Sequence, residues 1–286
     1  MSTLRDLIAG PQPVPVPLVF NPMTAKLAEA AGFKALYLGG GSMGYLKCVT
    51  EANLNLTEMC QAGLDIRSVC SLPLILDGAC GWGDPMHMHR TIGMSEAAGF
   101  SAIEIEDQIL PKRTHHHIGI EHIVSAELMV AKIKEALAAR RSRDFLIIAR
   151  TNAARMHGLD EALSRAEAYK QAGADMLLVL AKTPDQVATI GQRVVLPMVL
   201  LASGDARAAT GLSPADLHGL GFRLLIDAST PLMAAHRALR QCYAALAANE
   251  PDPLLGASGN KSEERIVHET IGLEHMLEIE RRTVER

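Results

Sequence analysis

One short phrase recurs along the chain and limits what it can fold into. It stands as Ala30-Ala31-Gly32-Phe33, Ala97-Ala98-Gly99-Phe100, Gln171-Ala172-Gly173-Ala174 and Gly219-Leu220-Gly221-Phe222. Each copy closes a stretch with apolar residues at helical spacing and opens a short β-type run. Glycine suits the position just past a helix end because it tolerates the left-handed conformation. Eight β-type runs fall at 17–21, 35–39, 72–78, 102–107, 146–151, 176–181, 197–202 and 223–228. Most are nearly continuous apolar runs, as expected where both faces of a parallel sheet are covered. Helical patterns such as 126–140, 159–171 and 231–248 separate them. Eight β–α units in 286 residues predict an α/β fold, a (β/α)8 TIM barrel. The rival is a doubly wound open sheet. The count of eight favours the barrel. So does Gly39-Gly40-Gly41-Ser42, which lacks the Gly-x-Gly-x-x-Gly spacing of a dinucleotide site.

The repeat occupies residues 1–250, read as one catalytic domain. Residues 251–286 leave it. They read as a linker and a helical extension, about 263–282, expected to pack on a neighbouring subunit in a dimer or tetramer. Hydrophobic residues make up 48% of the chain, enough for a sizeable core. A net charge of −4 and 3% aromatics argue against a nucleic-acid partner. No apolar run reaches transmembrane length, and the N-terminus has no basic segment followed by an apolar one. Five cysteines form no Cys-x-x-Cys, which fits a reduced, cytoplasmic protein.

In a barrel the chemistry sits at the C-terminal ends of the strands. The polar residues expected there are Asn21, Gly40, Gly41, Ser42, Asp77, Glu104, Glu106, Arg150, Asn152 and Ser203. Strands six to eight end almost bare, in Leu180-Ala181-Lys182, Leu201-Ala202 and Ile226-Asp227-Ala228. The densest cluster of charge is Glu106-Asp107-Gln108-Ile109-Leu110-Pro111-Lys112-Arg113. Carboxylates at the exit of a buried strand are costly unless a metal, a substrate or nearby cations pair them.

That cluster resembles a signature of the isocitrate lyase/phosphoenolpyruvate mutase superfamily. So do Asp77-Gly78-Ala79-Cys80-Gly81-Trp82-Gly83 and Ile148-Ala149-Arg150-Thr151-Asn152-Ala153. The similarity runs in order from about residue 18 to about 248. The resemblance implies a small-molecule carboxylate substrate, and Mg2+ or Mn2+ holding an oxyanion. It implies that Asp77 contacts the metal through water and that Glu106 orients further metal-bound water. It implies that Arg150 binds the substrate carboxylate, for which a planar guanidinium fork is suited. Gly40, Gly41 and Ser42 correspond to the cradle for the same carboxylate, with Asn152 and Trp82 beside it. Lys112 becomes a cation at the base of a lid, near the developing enolate.

Several positions depart from the pattern. Ala79 stands where the resemblance places the principal metal ligand. Thr114-His115-His116 stands where lyases have Cys-Gly-His, so the usual catalytic thiol is missing. Leu180 replaces a Glu, and residues 226–230 lack the His of a related decarboxylase group. Glu104 is an added carboxylate on the same strand face as Glu106, two residues away. With Asp77 these two could hold a divalent cation through oxygen ligands. Alternatively, Glu104 is a structural acid paired with Arg150 or Lys112. His115-His116-His117 reads as a polar lid segment, since consecutive residues rarely aim three imidazoles at one ion. His116 is the candidate proton donor when the lid closes.

The expected activity is a carbon–carbon lyase or decarboxylase. Its substrate would be a small 2-oxo or 2-hydroxy diacid, cleaved through a metal-stabilised enolate without a catalytic Cys. Leu180, Leu201 and Trp82 would make the far end of the pocket apolar. The alternatives are P–C bond chemistry on a phosphonopyruvate-like substrate, and a carboxylate-binding member that has lost its chemistry.

Overall fold

A computed structural model describes residues 2–181, 183–256 and 259–285. Eight strands carry the frame: β1 Val14–Pro17, β2 Leu36–Leu38, β3 Leu74–Asp77, β4 Ala102–Glu106, β5 Leu146–Thr151, β6 Met176–Val179, β7 Met198–Leu201 and β8 Phe222–Asp227. All ladders are parallel, in the order β1-β8-β7-β6-β5-β4-β3-β2. A bridge from Leu18 to Tyr37 joins the two ends, so the sheet is a nearly closed barrel. Its outer face packs under helices such as Ala126–Ala139, Leu159–Gln171 and Thr230–Ala247. Its interior is filled by a separate apolar cluster that includes Leu18, Tyr37, Ile75, Ile148, Leu178 and Ile226. Two dry surfaces per strand explain the unbroken apolar runs.

The repeated glycines do what their position predicts. Gly32, Gly99, Gly173 and Gly221 all have φ between 81° and 101°. A side chain there would strain the turn that sends each helix back into the next strand.

Two expected boundaries move. The first strand begins at Val14 rather than residue 17, despite Pro15 and Pro17. Leu18 N–H donates to Asp227 in β8, whereas Val19 N–H points the other way, to Tyr37 in β2. Backbone donors alternate sides along a strand, so both prolines face the β2 side. There the ladder is a single bridge, and no donor is missed. The expected last helix is two helices, Gly259–Ile271 and Leu273–Thr283, because Gly272 adopts φ 71° and breaks the run. Among the described residues no helix is long and apolar enough to cross a membrane.

Candidate functional site

The ladder register sets the layers inside the barrel mouth. Asp77 pairs with Glu104, and Glu106 pairs with Arg150, which in turn pairs with Leu178. The first pair therefore lies one layer below the second. Glu104 and Glu106 are each only 1% exposed, so each needs partners.

Glu104 has two. Its Oε1 accepts from Arg150 Nη1 at 2.7 Å, and its Oε2 from the Tyr37 hydroxyl at 3.3 Å. Burial pushes its pKa up to about 7; Arg150 opposes this and the charge on Asp77 adds to it. Glu106 accepts from Lys112 Nζ on one oxygen and from Asn152 Nδ2 on the other, at 2.8 Å, with Arg150 Nε at 3.4 Å. Burial disfavours its charge, but Lys112 and Arg150 outweigh that and lower its pKa. Asn152 Oδ1 in turn accepts from Arg150 Nε at 3.0 Å, which fixes the guanidinium plane. Behind the strand, Asp107 is fully buried and accepts from Tyr169, Arg165 and the Asn152 backbone. Asp107 thus holds the strand end in place rather than entering the mouth.

A residue that the sequence reading missed completes the cluster. Glu51 Oε1 receives Lys112 Nζ at 2.5 Å and His116 Nε2 at 2.6 Å. Burial opposes its charge, yet His116 and Lys112 hold the Glu51 carboxyl far below the usual range. Lys112 is nine-tenths buried; burial works against the ammonium, but Glu106 and Glu51 keep its pKa above normal. His116 Nδ1 also meets the Arg113 carbonyl at 2.7 Å. Burial lowers its pKa, but the Glu51 and Arg113 hydrogen bonds outweigh it, leaving the imidazole more basic than usual. Nothing in the spacing pointed to Glu51, which lies on a short turn far beyond the end of β2.

The lid is folded down. Ile109 N–H donates to His122 and Val124 N–H to Asp107, so the segment leaves and returns as a narrow strap. Gln108 Nε2 and Arg155 both bind Glu121 and anchor the strap's return. The three histidines point to different places. His115 meets His122, His116 meets Glu51 and His117 meets Tyr45.

The remaining expected positions divide. Gly40 N–H donates to Asp77 Oδ2 at 2.9 Å, and Ala79 N–H to Asp77 Oδ1 at 3.0 Å. Burial and the charge on Glu51 raise the Asp77 pKa. Gly40 and Gly41 open a helix, Gly40–Leu46, and the Gly40 N–H is the one that meets Asp77. Ser42 spends its hydroxyl on the Ala228 carbonyl, at 3.0 Å. Trp82 donates its indole N–H to the Leu54 carbonyl and packs on the outer core, away from Leu180 and Leu201. Trp82 does not share the cavity that those two line over β6 and β7. Lys182, at the end of strand six, lies outside the described residues. Cys80 is no substitute for the missing thiol: burial pushes its pKa up to about 11.

The expected metal trio of Asp77, Glu104 and Glu106 has both glutamates engaged with other partners. Among the described residues, no group of three His, Cys, Asp or Glu is disposed to hold a metal ion. Glu104 is committed to Arg150 and Tyr37, and Glu106 to Lys112 and Asn152. The Glu104 contact with Arg150 is the pairing that the alternative reading names. Two other acidic side chains come close together beside Gly40. A Cβ placed on Gly40 would lie 3.1 Å from Glu51 Oε2 and 3.2 Å from Asp77 Oδ2. Both oxygens thus lie close to Gly40, where any side chain would crowd them. Mg2+ is commonly held by one or two carboxylates plus waters and substrate oxygens.

Comparison with known proteins agrees with this architecture. Residues 4–247 match the family described as phosphoenolpyruvate phosphomutase. The chain is 32% identical over 281 residues to the 2,3-dimethylmalate lyase of Eubacterium barkeri, covering 98% of this chain and 96% of the lyase. A phosphoenolpyruvate phosphomutase from Streptomyces platensis subsp. rosaceus superposes with a TM-score of 0.87 at 29% identity, covering 98% of each chain. A phosphonopyruvate hydrolase solved with oxalate and Mg2+ superposes at 0.85 and 30% identity, with the same coverage. Barrel, motif order and relatives converge, and the chain belongs to the phosphoenolpyruvate phosphomutase family, as an enzyme of the isocitrate lyase/phosphoenolpyruvate mutase superfamily.

Proposed function

We propose that the protein is a lyase that breaks the bond between C2 and C3, or decarboxylates at C3, in a small 2-oxo or 2-hydroxy diacid. The observation that carries this reading is the cluster at the barrel mouth in which buried Lys112 bridges Glu51 and Glu106, while half-buried His116 and Arg150 pair with Glu51 and Glu106. Such a set favours charge that appears during reaction, in a place from which water is excluded.

Arg150 anchors the substrate's C1 carboxylate through its planar guanidinium fork. Asp77 and Glu51 would hold Mg2+ or Mn2+, which supplies Lewis-acid stabilisation of the oxygen where charge develops. Glu106 keeps the Lys112 ammonium and the Asn152 amide aimed into the mouth. In decarboxylation, CO2 leaves C3, its bonding pair becomes the enolate of the 2-oxo acid, and a proton returns to C3. In cleavage of a 2-hydroxy diacid, the C2 hydroxyl passes its proton to a carboxylate of the mouth, C2 becomes the carbonyl of a 2-oxo acid and the C2–C3 bond breaks. The pair moves onto C3 and its carboxylate, and C3 takes a proton. His116 is the proton donor in both, since Glu51 beside its Nε2 favours the protonated imidazole. Thr114, where lyases carry a thiol, has no acid to offer.

The relatives support this reading: a dimethylmalate lyase by sequence, and by structure a hydrolase solved with oxalate and Mg2+. Calorimetry with oxalate tests it. Oxalate binding that requires Mg2+ is the expected result. Binding indifferent to metal would replace the reading with a carboxylate-binding protein that has no enolate chemistry. A screen of 2-oxo and 2-hydroxy diacids for released 2-oxo acid then identifies the substrate. P–C chemistry is the second reading, favoured by the likeness to the mutase and hydrolase structures. Against it, the interior residues Leu180, Leu201 and Ile226 are apolar where a phosphonyl group would want cations. Phosphate release from phosphonopyruvate, faster than turnover of any diacid, would establish it.

A further inference from the structure

Most of the donors of Arg150 are already engaged within the protein. Its Nε donates to Asn152 Oδ1 at 3.0 Å and lies 3.4 Å from Glu106 Oε2. Its Nη1 donates to Glu104 Oε1 at 2.7 Å. Among the described residues Nη2 has no partner and no buried polar side-chain atom goes unpaired, so Nη2 is open at the mouth. A substrate carboxylate therefore meets the free end of the fork, which is Nη2 with the second hydrogen of Nη1.

Glu104 lies against that same end from the barrel interior. It is 1% exposed, and its second oxygen accepts from the Tyr37 hydroxyl, on a side chain that is itself 1% exposed. Tyr37 stands on β2 and Arg150 on β5, so Glu104 on β4 is gripped from two other strands. Its carboxylate has no room to turn away from Arg150. Two acceptors on one nitrogen, at ordinary hydrogen-bond lengths, stand about 5 Å apart. A carboxylate on the free end of the fork thus lies about that far from the Glu104 charge, and water barely reaches between them. Like charges so placed repel strongly.

We infer that Glu104 is a positioning residue for the substrate carboxylate, whose charge also loosens the grip of Arg150 on it. Glu104 fixes the guanidinium from below, as Asn152 fixes it from the side, and it competes with the ligand for the same cation. The mouth gains alignment and loses affinity. The loss falls equally on substrate and transition state, because the C1 carboxylate takes no part in bond breaking. Glu104 therefore raises KM and eases product release, while the alignment it gives supports kcat. This rests on the reading that Arg150 holds the C1 carboxylate.

Calorimetry of the full chain with oxalate in saturating Mg2+ tests this, at about pH 8.5, where Glu104 is charged. Glu104→Gln keeps an oxygen for Nη1 and drops the charge. The fold accepts a neutral group there, since Glu104 itself is protonated below about pH 7. Oxalate should bind the variant at least tenfold tighter, the equivalent of ~1.4 kcal/mol. KM for the diacid found by the screen should fall by a similar factor. Glu104→Ala drops the charge and the oxygen together. Its kcat should lie at least tenfold below that of the Gln variant, because the guanidinium has lost its plane. A residue that only filled the barrel would lower Tm in both variants and tighten nothing. Oxalate binding that is unchanged or weaker in Glu104→Gln overturns the inference and leaves the lyase reading standing. Equal kcat in the Gln and Ala variants would remove the positioning role. If oxalate does not bind the native protein with Mg2+, the lyase reading fails and the inference falls with it.

Discussion

Glu104 is an acid held where water cannot reach it, against one arginine and one tyrosine. Its pKa rises from 4.5 to about 7 on folding, with burial as the main cause. A raised acid binds its proton more tightly in the folded state. Its contribution to stability is full below pH 4.5 and is lost as pH climbs toward 7. The shift corresponds to something on the order of 3 kcal/mol. Glu104→Gln should therefore flatten the fall in Tm between pH 4.5 and 7. A variant whose Tm falls as steeply as that of the native protein would place the cause in another group. Glu51 makes a different prediction. Glu51→Gln removes the shared partner of Lys112 and His116 and one of the two oxygens over Gly40. Turnover should fall at least a hundredfold and Mg2+ affinity at least tenfold, both measurable by steady-state kinetics and metal titration. Loss of turnover with unaltered metal affinity would confine Glu51 to the lid. Glu106, Lys112 and Arg150 were legible as members of one charged cluster because a motif and a strand end coincide there. Glu51 was not, because an isolated acid on a loop carries no periodicity that distinguishes it from a solvated one.

The lid is the element with the most to lose as pH rises. His116 fastens it to Glu51, and its pKa is raised above 6.5 by Glu51 and the Arg113 carbonyl against the effect of burial. That fastening is complete below the ordinary histidine range and is lost as pH passes through the raised value. Lys112 and Glu51, which also face it, keep their charges throughout. Hydrogen exchange over residues 112–120, corrected for intrinsic rate, should show protection that declines as pH rises past the ordinary histidine range. In His116→Gln the decline should vanish, and protection that still fell with pH would move the latch to another group. Among the elements, helix ends were readable wherever glycine closed them. The first strand was misplaced because prolines argue against a strand, and only the neighbour's short ladder shows that they cost nothing. The last helix was read as one because Gly272 sits inside an otherwise helical pattern.

At the scale of the molecule, residues 4–247 form the family barrel, and the terminal helices stand partly apart from it. An open space of about 720 Å³ lies between the turn from Asn21 to Lys26 and residues Glu269 to Met276. The two helices bury none of their residues and leave Ile266, Ile271, Met276 and Leu277 exposed. Exposed apolar residues in such number mark a contact surface. We expect the full chain to be a dimer or tetramer in sedimentation, and residues 1–250 alone to fold with a similar Tm as a smaller assembly. Unchanged assembly on deletion would assign the contact to the barrel instead. The sequence by itself determined the barrel, the mouth and the family, because periodicity and strand-end chemistry are local and repeat eight times. Tertiary structure alone decided the partners of each charge. Glu104 was open to a metal, Lys112 or Arg150 in the sequence, and barrel closure set it against Arg150. Glu51 had no role until the lid brought Lys112 and His116 onto it. Both outcomes depend on distances between segments far apart in the chain, which only the closed sheet and the folded lid establish.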